Sequence, residues 1–239
     1  MADRPMYASY VSSPLPRPWA AVHGSDDRFA VHRIYCVGRN YADHVREMGG
    51  DPSRETPIFF TKAADAVVAN GTDVPYPPRT TNFHHEVELV VAIGKGGANI
   101  TVDDALSHVY GYAVGNDLTR RDLQAEARDK GQPWDSAKAF DNSAPMAAIH
   151  TVEQVGHPTD ARIWLKVNDE IRQDSNLSKL IWSVPEIIAE LSTFWRLQPG
   201  DLIFTGTPDG VGPLVEGDMV TAGIYGLDTL QHRIVAVSV

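Results

Sequence analysis

His84-His85-Glu86-Val87-Glu88-Leu89-Val90-Val91 opens an apolar stretch that is expected to run as one long strand over 83–93. Side chains on a strand alternate between its two faces. Glu86 and Glu88 then share a face with His84, while Val87, Leu89 and Val91 share the other. Two adjacent carboxylates in an apolar strand repel each other and are costly to desolvate. A bound cation relieves both costs; a solvated face of an edge strand is the simpler alternative. Asp117, at the end of the apolar strand expected over 109–116, would face a cleft at the strand end. Glu86, Glu88 and Asp117 together are a hard, all-oxygen donor set, suited to Mg²⁺, with Mn²⁺ or Ca²⁺ as alternatives. Zinc would ask for His or Cys; His84 offers one nitrogen, but His85 points to the opposite face. A divalent ion on three carboxylates has a net charge of −1 and leaves positions open for a bidentate oxygen ligand.

Working outward, a strand over 31–38 leads through Arg39-Asn40 into a short helix over 41–48, with Asn40 as N-cap and Gly49-Gly50 as its stop. A strand is expected over 57–61. Thr101 caps a helix to His108, and Thr119 starts another that Gly131 ends. Residues 163–173 read as a hairpin around Asn168-Asp169. Ser183-x-x-Glu186 is a capping box, followed by the apolar stripe Val184, Ile187, Ile188 and Leu191. Strands are expected over 202–205, 219–222 and 229–237. Gly200-Asp201-Leu202-Ile203 and Gly217-Asp218-Met219-Val220 read as two similar turn-to-strand entries. The sum is mixed α+β and strand-rich, without the regular alternation of a doubly wound sheet.

The 239 residues suit one large domain over 31–239 after an N-terminal arm over 1–30, which Pro14, Pro16 and Pro18 would hold extended. With 21 Lys+Arg against 31 Asp+Glu, the net charge of −10 disfavours nucleic acid as a partner. The longest apolar run, 89–93, is far below the roughly 20 residues of a membrane span. The first thirty residues show no apolar signal-peptide core, so a cytoplasmic location is expected. Sequons at Asn70, Asn99 and Asn176 carry little weight without such a signal. The single cysteine, Cys36, excludes an internal disulfide and reads as a small core residue.

Three further groups bear on chemistry. His44 and Glu47, three apart on the short helix, share a face. A carboxylate beside an imidazole orients it and raises its basicity, as a general base for water requires; a surface ion pair is the plain alternative. Asp43 and Arg46 suit solvent. Lys138, in an aromatic setting between Trp134 and Phe140, could stabilise a developing anion or simply snorkel to the surface. Backbone N–H groups in Thr205-Gly206-Thr207-Pro208-Asp209-Gly210 can bind a carboxylate, a weak signal by itself. No Gly-x-Ser-x-Gly, Ser-x-x-Lys or strand-following Gly-x-Gly-x-x-Gly is present, so neither a serine nucleophile nor a nucleotide cofactor is expected.

Together, Gly38-Arg39-Asn40-Tyr41-Ala42-x-His44, His85-Glu86-Val87-Glu88-Leu89, Asn116-Asp117, Arg121-Asp122-Leu123-Gln124, Pro133-Trp134, Lys138-x-Phe140, the hairpin at Asn168 and Thr205-Gly206-Thr207-Pro208 resemble the fumarylacetoacetate hydrolase family in kind and order. The resemblance runs from about Ile34 to the C-terminus. It implies a mixed β-sandwich roll with short helices, a homodimer, a divalent metal on Glu86, Glu88 and Asp117, and a lid helix carrying His44 and Glu47. The chain is similar to the acylpyruvase and fumarylpyruvate hydrolase branch, without a long N-terminal domain.

The implied activity is hydrolysis of a carbon–carbon bond in a ketonic substrate, a 2,4-dioxo acid. Fumarylpyruvate and water would give fumarate and pyruvate, as in gentisate-type aromatic breakdown. Catalytic roles fall to His44, Glu47 and Lys138; Arg121, Gln124, Thr207 and Arg39 are candidates for holding substrate oxygens. Arg120, next to Arg121, is a candidate partner for a second substrate carboxylate. The rivals are oxaloacetate decarboxylation, a hydroxydienoate isomerase or hydratase, and a non-catalytic dimer that binds 2-oxo acids.

Overall fold

A computed structural model describes residues 11–49 and 56–237. The fold is mixed α+β, strand-rich, with a few short helices around curled sheets. An eight-stranded sheet runs Ile58–Lys62, Arg33–Gly38, Asp201–Phe204, Val87–Ile93, Val109–Asn116, Ala144–Met146, Val67–Ala69, with His150–Thr151 also on Val109–Asn116. A five-stranded sheet orders Glu170–Asn176, Arg162–Val167, Met219–Ile224, Leu230–Val235 and Val74–Pro75. Pairing is mostly antiparallel, but Asp201–Phe204 runs parallel to Arg33–Gly38, Ala144–Met146 parallel to Val67–Ala69, and Leu230–Val235 parallel to Val74–Pro75.

The main core lies between these sheets. Val87, Leu89 and Val91 meet Ile163, Leu165, Val220 and Leu230, with Ile187, Ile188 and Leu191 of the helix Val184–Phe194 closing one side. Ser183 and Glu186 form the expected capping box. Val90 and Ala92 pack on the other face with Ile34, Cys36, Leu202 and Phe204, which is why the strand Val87–Ile93 is apolar on both sides. The Cys36 thiol is buried, and burial pushes its pKa well up.

The hairpin turn at Asn168 and Asp169 takes positive φ at both residues, the geometry that matches strand twist. Asp201 and Asp218 make the same turn contact, each accepting a backbone N–H three residues upstream, which explains the two similar strand entries.

Four expectations change. The strand over 83–93 is broken: Phe83–His85 belongs to a separate three-stranded sheet with Thr119–Arg120 and Gly212–Leu214, and Val87–Ile93 continues in the large sheet. The break falls at Glu86, whose N–H goes to the Asn116 side chain at 2.8 Å rather than to a strand ladder. Thr119 and Arg120 are strand, and the helix is Arg121–Asp129. Asn40 does not cap the helix Ala42–Glu47; its amide bridges Trp182 and Thr205 instead. Within the expected arm, Trp19–Ala21 and Arg28–Ala30 pair as a hairpin. Gly50 and residues 1–10 lie outside the described residues. Among the described residues, no helix is long and apolar enough to cross a membrane.

Candidate active site

The break at Glu86 builds the site. Asp117 N–H donates to the Glu86 carbonyl at 2.8 Å, so the start of one central strand and the end of its neighbour are tied. Glu86, Glu88 and Asp117 each bring a carboxylate oxygen within 4.8 Å of the others, and all three are buried. They line one cavity together with His44, Lys138, Arg121, Gln124, Thr207 and Arg39. The structure therefore brings the expected catalytic, metal-ligating and substrate-holding positions to one place, with Glu47 behind His44.

Lys138 is 1% exposed, which excludes snorkelling. Its Nζ donates to Glu86 Oε2 at 2.7 Å and Asp117 Oδ2 at 2.8 Å. Arg121 donates to the other Glu86 oxygen and to Gln124. Lys62, not foreseen from the sequence, lies 2.8 Å from Asp117 Oδ1 and donates to the carbonyls of Leu118 and Lys138. Three buried cations thus balance the three carboxylates. The −1 charge expected for an ion on the carboxylates alone becomes +2 once these neighbours are counted.

Burial by itself would raise the Glu86 pKa, but Lys138 and Arg121 outweigh it and hold this carboxyl below the usual range. Glu88 behaves oppositely: burial, then Asp117 and Glu86 beside it, push its pKa well above the usual range. Burial drives Lys138 down, yet Asp117 and Glu86 lift it above an ordinary lysine.

His84 lies next to Arg121, accepting its Nε–H at 3.3 Å, outside the carboxylate group. Burial and Arg121 push its pKa down to about 4. His85 points the other way, onto Gln173.

His44 Nδ1 is 3.3 Å from Glu47 Oε2. Burial tends to raise Glu47, but its bond to His44 and the Gly210 N–H bring its pKa below the ordinary value. The Asp43–Arg46 pair, 2.6 Å apart, is exposed. Two amides of the loop after Asp201–Phe204 go to the protein's own carboxylates. Gly206 N–H donates to Glu88 at 2.7 Å and Gly210 N–H to Glu47 at 3.1 Å. Gly206 has φ +101°, and a Cβ there would meet the Asn40 Cβ at 2.7 Å, so only glycine fits this approach.

Gln173, fully buried, was also missed. Its Oε1 accepts from Val87 N–H and pairs with His85 Nδ1, each at 3.0 Å; its Nε2 donates to Thr207 Oγ1 at 2.8 Å and to the Pro208 carbonyl at 2.9 Å. It joins the carboxylate strand to the Thr207 loop. The one sequence sign was a polar residue at an inward position of the hairpin.

Arg120 does not face the cavity. It donates to the Ser136 carbonyl at 3.0 Å and stacks 4.3 Å over Phe140. Arg120 ends the strand Thr119–Arg120 and Arg121 begins the helix Arg121–Asp129, and at that junction the two side chains part, Arg121 lining the cavity and Arg120 not. Arg39 and Arg128 supply the exposed cations of the cavity wall.

A family model described as fumarylacetoacetate (FAA) hydrolase, C-terminal, matches residues 33–235. The chain is 50% identical over 177 residues to a fumarylpyruvate hydrolase of Ralstonia sp, covering 74% of this chain and 92% of that protein. It is 44% identical over 201 residues to the mitochondrial oxaloacetate tautomerase FAHD1 of Homo sapiens, covering 84% of this chain and 90% of that protein. The crystal structure of fumarylpyruvate hydrolase from Pseudomonas aeruginosa in complex with Mn²⁺ and pyruvate matches with a TM-score of 0.94 and 51% identity, covering 96% of this chain and all of that one. On a match spanning nearly all the described residues, and on relatives at half identity, the chain belongs to the fumarylacetoacetate hydrolase family and is a hydrolase of carbon–carbon bonds.

Proposed function

We propose that the protein hydrolyses acylpyruvates, with fumarylpyruvate favoured and fumarate and pyruvate as products. The observation that carries this is the meeting of the buried Glu86, Glu88 and Asp117 with the His44–Glu47 pair in one cavity.

The carboxylates fit a hard divalent ion, Mg²⁺ or Mn²⁺. They are buried and adjacent, and the high pKa of Glu88 reports a carboxyl still short of positive charge. When bound, the ion would hold the substrate's 1-carboxylate and 2-oxo oxygens and stabilise enolate charge. The +2 charge left at the site matches the two negative charges of a pyruvate enolate.

His44, oriented by Glu47, takes a proton from the water that attacks the C4 carbonyl. The C3–C4 bond breaks, its electron pair passes to C3 and into the C2 carbonyl, and the proton is returned at C3. The acyl group leaves as a carboxylic acid and the remainder as pyruvate. Lys138, already ionised and desolvated, faces the developing charge. Arg121, Gln124 and Thr207 hold substrate oxygens. The exposed guanidinium groups of Arg39 and Arg128 would meet the distal carboxylate of fumarylpyruvate. We further infer a homodimer acting in the cytoplasm in breakdown of aromatic compounds.

Oxaloacetate tautomerisation is a second reading, supported by the 44% identity to a protein of that name. It needs only a proton moved between C3 and the C2 oxygen, with no water attack, and His44 can carry that proton. Parallel kcat/KM measurements on fumarylpyruvate and oxaloacetate test the choice: the proposal expects fumarylpyruvate to be preferred, with pyruvate formed, and a preference for oxaloacetate would reverse it.

A further inference from the structure

Leu230, His232 and Ile234 form the inward row of the strand Leu230–Val235, and the two aliphatic members belong to the main core. His232 is 2% exposed, so an imidazole stands where packing alone would ask for an aliphatic side chain. It does not line the catalytic cavity.

One residue ties this ring to the carboxylate centre. Glu86 N–H donates to Asn116 Oδ1 at 2.8 Å. That fixes the amide oxygen toward Glu86 and turns Nδ2 toward His232 Nε2, 3.0 Å away. The amide nitrogen can only donate, so Nε2 accepts and the ring proton sits on Nδ1. Burial, and then His85, push the His232 pKa down to about 3, so the ring is neutral and keeps the accepting lone pair. The cost falls on the other nitrogen: Nδ1 is buried without a hydrogen-bond partner among the described residues. An aliphatic side chain would carry no such cost. What the imidazole contributes in return is an acceptor for the fully buried Asn116 amide.

We propose that His232 is a positioning residue for Glu86. It holds the Asn116 amide in the orientation that accepts the Glu86 N–H, and so fixes the backbone from which the Glu86 carboxylate reaches a divalent ion. The inference rests on Glu86 holding that ion. The link also joins the two sheets: His232 pairs in register with Val220 of the five-stranded sheet, and Asn116 with Val87 of the eight-stranded one.

Amide hydrogen exchange of the full chain without added metal, resolved by NMR, tests the link directly. In His232→Leu, which suits the apolar row, the Glu86 amide should exchange about 10-fold or more faster than in wild type. The neighbouring Val87 amide, held by Gln173 at 3.0 Å, should not change. Calorimetry should show Mg²⁺ bound about 10-fold more weakly by the same variant, as loss of a ligand's supporting partner does. His232→Gln, whose side-chain oxygen can accept from Asn116, should restore both. Ring-nitrogen NMR shifts of wild type should place the His232 proton on Nδ1. A proton on Nε2, equal acceleration at Glu86 and Val87, no rescue by His232→Gln, or wild-type exchange and Mg²⁺ affinity in His232→Leu would overturn the role and leave a packed core histidine. Wild type that binds no Mg²⁺ would overturn the carboxylates as an ion site, and this role with them.

Discussion

Lys138 Nζ lies 2.7 Å from Glu86 Oε2, and the same ammonium reaches Asp117 at 2.8 Å, so one buried lysine serves two of the three carboxylates. Glu88, the third, accepts the Gly206 amide and faces its two acidic neighbours.

This asymmetry predicts a trade of stability for function at Glu88. Its folded pKa is raised above the unfolded value of about 4.3. The folded state then prefers the protonated form, so stability is full below that value and is lost as pH rises toward the folded pKa. Metal-free Glu88→Gln should therefore melt higher than metal-free wild type at pH 8, with the gap closing near pH 4. It should also bind Mg²⁺ poorly. Thermal melts with chelator and calorimetry with Mg²⁺ check both; a variant that melts lower at pH 8 would contradict the charge account.

His44→Ala should lower kcat on the order of 10²–10⁴, the usual contribution of a general base, with little change in Mg²⁺ affinity. Glu47→Gln should lose less, because it still accepts the Gly210 amide. Steady-state kinetics decide it; near-wild-type turnover in His44→Ala would remove the base from the scheme.

Gln173 is a positioning residue. Gln173→Leu leaves the Val87 amide and the Thr207 hydroxyl without their buried partner, at about 1–3 kcal/mol for each unsatisfied group. Gln173→Glu keeps the acceptor for Val87 but removes the donor to Thr207, so it should raise KM more than it weakens Mg²⁺ binding. Unchanged KM in Gln173→Glu would deny Thr207 its role.

Substrate selectivity should follow the cavity wall. Arg39→Ala and Arg128→Ala should reduce kcat/KM for fumarylpyruvate more than for acetylpyruvate, which lacks the distal carboxylate. Arg120→Ala, removed from the cavity by its stacking on Phe140, should affect the two substrates alike. A selective defect in Arg120→Ala would restore it to the site.

How much of this was legible follows from the range of each interaction. Glu86, Glu88 and Asp117 were found because strand alternation and strand ends are local patterns, and His44 with Glu47 because a helix places residues three apart on one face. The capping box at Ser183 and the turn at Asn168 were legible for the same reason. Lys62, Gln173 and Asn116 act across the chain: Lys62 on Leu118 and Lys138, Gln173 on Val87 and Thr207, Asn116 on Glu86. Lys62 carries no local mark, and the marks at Gln173 and Asn116, a polar residue at an inward strand position and a place beside Asp117, do not name the distant partner. The break at Glu86 was hidden for that reason, since the amide that leaves the ladder is taken by a side chain thirty residues away. Arg120 was misjudged because adjacency in sequence was read as adjacency in space.

The central claim is metal-dependent cleavage between C3 and C4. Chelator-treated protein should be given fumarylpyruvate with and without Mg²⁺, following the absorbance of the conjugated enol and assaying pyruvate and fumarate. The account predicts that absorbance falls only with the ion, with pyruvate and fumarate released in equal amounts. Absorbance loss without pyruvate, or pyruvate release unaffected by chelation, would contradict it.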